Sequence, residues 1–132
     1  MHQILSKVNV CDDLEMAVNH AVVSGLIDSR DRDAVFSMLS EKLENIASYG
    51  WFSTDNKDVR NETAIINTDG RIYRPDRITT DSKGTVHVID YKFGEPDEKY
   101  LSQISRYANL LKRMGYENVI PNIWYVMRDE IV

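Results

Sequence analysis

The chain has 132 residues and a mass of 15.3 kDa, with 42% hydrophobic residues, which suits one domain around one core and leaves no room for two. Sixteen Lys and Arg stand against twenty-one Asp and Glu, giving a formal net charge of -5 and a pI near 5.1, so bulk charge does not hold a polyanion and nucleic-acid binding needs a local basic face or metal ions. The single cysteine, Cys11, excludes an internal disulfide, a multi-cysteine zinc site and a four-cysteine iron-sulfur cluster, and makes a cytoplasmic setting the default expectation.

No apolar run approaches the roughly 18 residues of a membrane span, so no membrane partner is expected. Charge is uneven: residues 1–56 carry nine acids and four bases, whereas 57–132 carry twelve of each, which makes the second half the anion-facing one. The first half has a helical pattern. Leu14, Ala17, Val18, Ala21 and Val22 recur at three-to-four spacing behind Asp12, with Glu15 placed as in a capping box and Gly25 as a stop. A second helix is expected from Asp28 or Ser29, with Val35, Phe36, Leu39, Leu43 and Ile46 on one stripe and an end before Gly50.

After Trp51-Phe52 the period changes, and segments 62–67, 71–80 and 85–92 suit strands. Thr68-Asp69-Gly70 and Asp81-Ser82-Lys83-Gly84 supply tight turns between them, which predicts an antiparallel meander. Gly94-Glu95-Pro96-Asp97 is a turn and helix cap, a helix then runs to Met114 with Gly115 as its stop, and 119–127 is a last strand. The order predicts an α+β fold: a central mixed sheet of about four strands flanked by helices, with an N-terminal helical layer over residues 1–50. The helix before the last strand permits a parallel crossover.

Alternate residues of a strand share a face, so in Val86-His87-Val88-Ile89-Asp90-Tyr91-Lys92 the carboxylate of Asp90 and the ammonium of Lys92 project together. If Asp76 of Arg74-Pro75-Asp76-Arg77 lies across from Asp90, the two carboxylates can share a divalent ion, and hard oxygens suit Mg2+ or Mn2+. A phosphodiester attacked there would need an activated water positioned by Lys92. The plain alternative is a solvated strand face with a weak ion pair.

Pro75-Asp76, thirteen intervening residues and then Asp90-Tyr91-Lys92 resemble the PD-(D/E)xK nuclease motif. The following Gln103-Ile104-Ser105-Arg106-Tyr107 is similar to the Gln-x-x-x-Tyr signature of RecB-type nucleases, with Gln103 and Tyr107 one turn apart on a helix. Asn61-Glu62, Arg74-Pro75-Asp76-Arg77, Ile89 to Gly94, Tyr100, Gln103, Tyr107, Leu110-Leu111 and Met114-Gly115-Tyr116 fall in the order found in the nuclease domain at the C-terminus of UvrD-like bacterial helicase-nucleases of the RecB and AddA type. The match spans roughly residues 51–127. The resemblance implies a restriction-endonuclease-like fold and a metal-dependent deoxyribonuclease, an exonuclease in repair or recombination. It assigns Asp76, Asp90, Lys92, Gln103 and Tyr107 to catalysis, and His2, Asp76, Asp90 and Tyr91 to the metal. It also implies that residues 1–132 are one nuclease domain cut from a longer protein, with DNA as partner and a helicase motor domain in the same or another chain. No Gly-x-x-x-x-Gly-Lys motif provides a motor here.

Without the resemblance, His2 would be a frayed terminus and Tyr107 a core aromatic. His20 fits packing or surface, His87 takes the strand face opposite Asp90, and Glu62 suits a surface carboxylate as well as a site acid. Arg71, Arg74, Arg77 and Lys83 cluster on the central hairpin, where they either contact phosphates or are simply solvated. Two other readings stay open: a nuclease-fold module without turnover that binds DNA or protein, and an interaction domain in which Asp76, Asp90 and Lys92 form only an ion-pair network.

Overall fold

A computed structural model describes residues 1–132. The N-terminal layer holds α1 (His2–Leu5), α2 (Leu14–Val23) and α3 (Arg32–Asn45). The apolar stripes place their residues as their spacing predicts: Leu14, Ala17, Val18 and Ala21 of α2 are buried, as are Leu39 and Leu43 of α3 and Ile46 beyond it. The α2 cap differs from the expected Asp12 and Glu15 pair. Asp13 Oδ2 instead accepts the N–H groups of Asn9 and Val10, tying the start of α2 to the chain that leads into it.

The strands are β1 (Asp58–Asn61), β2 (Ile65–Ile66), β3 (Ile72–Tyr73), β4 (Arg77–Thr80), β5 (Val86–Lys92), β6 (Val119–Tyr125) and β7 (Glu130–Ile131), with α4 (Glu98–Arg113) between β5 and β6. A mixed five-stranded sheet has the order β1-β4-β5-β6-β7, antiparallel except for the parallel pair β5 and β6 that α4 connects. The fold is thus α+β, with one strand more than expected. Both faces of the sheet are covered. Ile89 and Tyr91 of β5 and Trp124 of β6 face the N-terminal helices, whereas Val86, Val88 and Ile123 pack with Ile104, Tyr107, Ala108 and Leu111 of α4. Burial on both sides explains why consecutive residues of β5, from Val88 to Tyr91, are all buried, where a one-sided strand would alternate.

The predicted meander is half right. The β4–β5 hairpin forms, closed by Asp81 Oδ1 accepting the N–H groups of Lys83 and Thr85. The predicted 71–80 strand is interrupted before Arg77, because Pro75 has no N–H for a ladder and the Asp76 N–H is taken by a side chain. The segment expected as the first strand contributes only β2, which pairs with β3 in a separate two-stranded ribbon. Glu62 turns the chain out of the sheet with a φ of 53°, and β1 takes the place beside β4.

Arg77 is fully buried and does not reach a phosphate, which corrects the expectation that it belongs to a basic surface cluster. Its Nε donates to Trp51 O, Nη1 donates to Val8 O and Asn61 Oδ1, and Nη2 donates to Asn9 O and Trp51 O. Its planar group also lies 3.9 Å from the centre of the Phe52 ring. No carboxylate pairs with it. Burial pulls its pKa down, yet a guanidinium keeps its charge, so these oxygens replace water around a buried cation. Arg77→Ala should therefore destabilise the protein by about 3 kcal/mol or more in urea unfolding, because it orphans several buried acceptors at once. A loss under about 1 kcal/mol would refute this role.

Candidate active site

The register places Asp76 one step beyond the Arg77–Ile89 pair, directly opposite Asp90. The two carboxylates occupy that place reciprocally. Asp90 Oδ1 accepts the N–H of Asp76 at 2.9 Å, and Asp76 Oδ2 accepts the N–H of Tyr91 at 2.7 Å. Each acid thus fixes the other's strand, and each retains one oxygen outside these bonds. Asp90 is buried, and burial pushes its carboxyl above the usual range, with the nearby Asp76 charge adding to the shift and Lys92 opposing it.

His2 of α1 reaches this end of the hairpin from the N-terminal layer. Its Nε2 lies 2.6 Å from Tyr91 O and 3.5 Å from Asp76 Oδ2, and its ring meets the Phe93 ring edge-on. The hydrogen bond to Asp76 raises the pKa of the imidazole. Tyr91 enters only through its backbone. Its side chain points to the opposite face, fully buried between Phe52 and Trp124, so a phenol ligand is ruled out and the carbonyl oxygen alone is available to a cation.

Lys92 stands beside the carboxylates and makes no ion pair. Its Nζ lies 4.3 Å from the centre of the Tyr100 ring on α4, a platform that holds the ammonium without neutralising it. Tyr107 is buried on α4 and close enough to Asp90 and Asp76 for their charges to raise its phenol, although burial is the larger cause. Gln103 opposes that shift through the Tyr107 hydroxyl. Gln103 itself is exposed, at the border of the buried stripe of α4.

Among the other candidates, His87 bonds Asp81 at the far end of the hairpin, and Lys83 sits in that same distant turn. Glu62 is exposed, with its N–H donated to Asp76 O. No three His, Cys, Asp or Glu side chains form a ready ligand cage. What converges here is one imidazole nitrogen, two carboxylates and one backbone carbonyl. The carbonyl carried no signal of its own in the sequence, since any residue provides one. Neither a family model nor any curated protein matches this chain.

The raised Asp90 carboxyl has a consequence for stability. Folding favours its protonated form, so the ionised form opposes folding increasingly as pH climbs from the unfolded value near 4 through the raised native one. Asp90→Asn keeps an acceptor for the Asp76 N–H and removes the charge. In chelator, its stability relative to the parent chain should rise between pH 4 and neutrality, measured by urea midpoints. A difference that does not vary with pH would contradict the assignment.

Proposed function

We propose that this protein is a divalent-metal-dependent deoxyribonuclease with a restriction-endonuclease-like fold, related to the RecB and AddA nuclease domains. The observation that carries the reading is the meeting of Asp76, Asp90, the Tyr91 carbonyl and His2 at one end of a hairpin, with an unpaired Lys92 alongside. Hard oxygens with one imidazole suit Mg2+ or Mn2+, and those four groups would hold it once His2 Nε2 gives up the proton it now donates to the Tyr91 carbonyl. The ion, when bound, would supply an activated water and charge compensation at the phosphate.

The chain's own groups do the remaining work. The Asp76 carboxylate is held by the Tyr91 N–H and that of Asp90 by the Asp76 N–H before substrate arrives, so little side-chain freedom is lost at the site. Lys92 orients the attacking water and offsets charge that grows on the phosphate oxygens. Gln103 and Tyr107 position the substrate strand from α4. The opposing reading, a domain without turnover, draws support from the same reciprocal bonds, because a purely structural acid pair would also cap two strands in this way.

In this reading the domain reads no base sequence, and a helicase motor in the same or a partner chain brings it DNA, since a net charge of -5 gives little attraction at long range. Cleavage of end-labelled DNA by the purified chain should need Mg2+ or Mn2+ and stop in chelator. Asp90→Asn should abolish cutting in a folded protein, and Lys92→Ala should lower turnover by about 10²-fold with binding retained. His2→Ala should raise the metal concentration needed for half-maximal cutting. Full activity in Asp90→Asn or in chelator would refute the enzyme.

A further inference from the structure

Beside the carboxylates lies a groove between α4 and the β2–β3 ribbon. Its cavity of about 130 Å³ is lined by Asn67 and Tyr73 from the ribbon and by Arg106, Asn109, Leu110 and Arg113 from α4. Arg106 and Arg113 are exposed and enter no ion pair, and the same holds for Arg74, which links the ribbon to β4. Seven residues of helix separate the two groove arginines by about 10.5 Å along the axis. After Glu98, α4 has no acidic residue, and Asp69 at the ribbon tip is paired with Arg71. In an acidic protein this is a local concentration of free guanidinium groups.

The groove adjoins the candidate site: Arg106 precedes Tyr107 on α4, and Tyr73 and Arg74 lead directly to Pro75 and Asp76. Tyr73 in its wall packs edge-on against Tyr107 at 5.3 Å, and Tyr107 is the residue whose phenol responds to Asp90 and Asp76. Guanidinium forks and side-chain amides are donors suited to phosphate oxygens and sugars, and nothing in the groove presents an acid to repel them. We infer that this groove holds the sugar-phosphate backbone of a nucleic-acid strand whose neighbouring phosphodiester lies at Asp76 and Asp90. The inference rests on the nuclease reading for the role of that bond, whereas the binding itself does not need turnover.

The test is fluorescence anisotropy of the full chain with labelled single- and double-stranded DNA of mixed sequence, in chelator so that nothing is cut. Arg106→Glu with Arg113→Glu should weaken binding at least tenfold. The slope of log affinity against log salt should fall by about 1.4, the share of two phosphate contacts on a single strand. Lys57→Glu with Lys83→Glu makes the same charge change at the far end of the β4–β5 hairpin and should alter affinity less than twofold. Circular dichroism melts establish that both double variants are folded; a misfolded Glu pair is replaced by Arg106→Gln with Arg113→Gln, for which a loss of at least threefold is expected. Equal losses in the two positions, or none in the groove variant, would overturn the inference. Displacement of DNA by oligoglutamate at matched charge would overturn it too, by assigning the groove to acidic peptides. Groove-dependent binding without metal-dependent cutting would sink the nuclease and keep the groove, and cutting with unchanged binding in the groove variant would do the reverse.

Discussion

Three backbone carbonyls and one side-chain amide oxygen, drawn from distant parts of the chain, solvate the guanidinium of Arg77. A buried cation accepts no approximate arrangement, because each unfilled donor would remain unpaired in a medium that stabilises charge poorly. Val8 and Asn9 are therefore held against β4, and with them the α1 segment that begins at His2. Trp51 and Asn61 are held from two further sides. The candidate site lies one residue away, at Asp76, so the residue that binds the N-terminal layer to the sheet also sets where His2 meets the hairpin.

The elements legible in the sequence are those whose own residues carry the instruction. Asp97 accepts the Lys99 N–H, Ile104, Tyr107, Ala108 and Leu111 form a buried stripe, and Gly115 adopts a φ of 108°, so α4 begins, packs and ends on local signals. The opposition of Asp76 and Asp90 was legible for a related reason: the turn at Asp81 and Gly84 fixes the hairpin register, and alternation does the rest. In contrast, β1 is an edge strand of Asp58, Val59, Arg60 and Asn61 with no buried residue, so it has no apolar pattern to detect. Arg77 was misread because an arginine on a hairpin is ordinarily solvated, and the carbonyls that surround it come from chain segments that no local pattern connects to it.

The acid pair illustrates how one geometry meets two demands. An isolated carboxylate on a half-buried strand would be mobile or poorly solvated, whereas here each oxygen that faces the backbone has a donor waiting for it. The ladder breaks at Pro75, and beside that break the Asp76 N–H bonds the Asp90 carboxylate instead of a ladder carbonyl. The oxygens left over are then carried on a rigid base, the property that the proposed cation site would require.

The ribbon formed by β2 and β3 belongs to neither the sheet nor the helical layer. Two residue pairs join its strands, and Ile66 and Ile72 are largely exposed. So short a ladder has little cooperative stability of its own, in contrast to β5, which is sealed on both faces. One wall of the α4 groove is consequently held by the burial of Ile65 and the packing of Tyr73 more than by its own ladder, whereas the other is a long helix packed along the sheet. A strand seated there, as inferred above, would bear on one wall that owes its place mainly to Ile65 and on another that is part of the core.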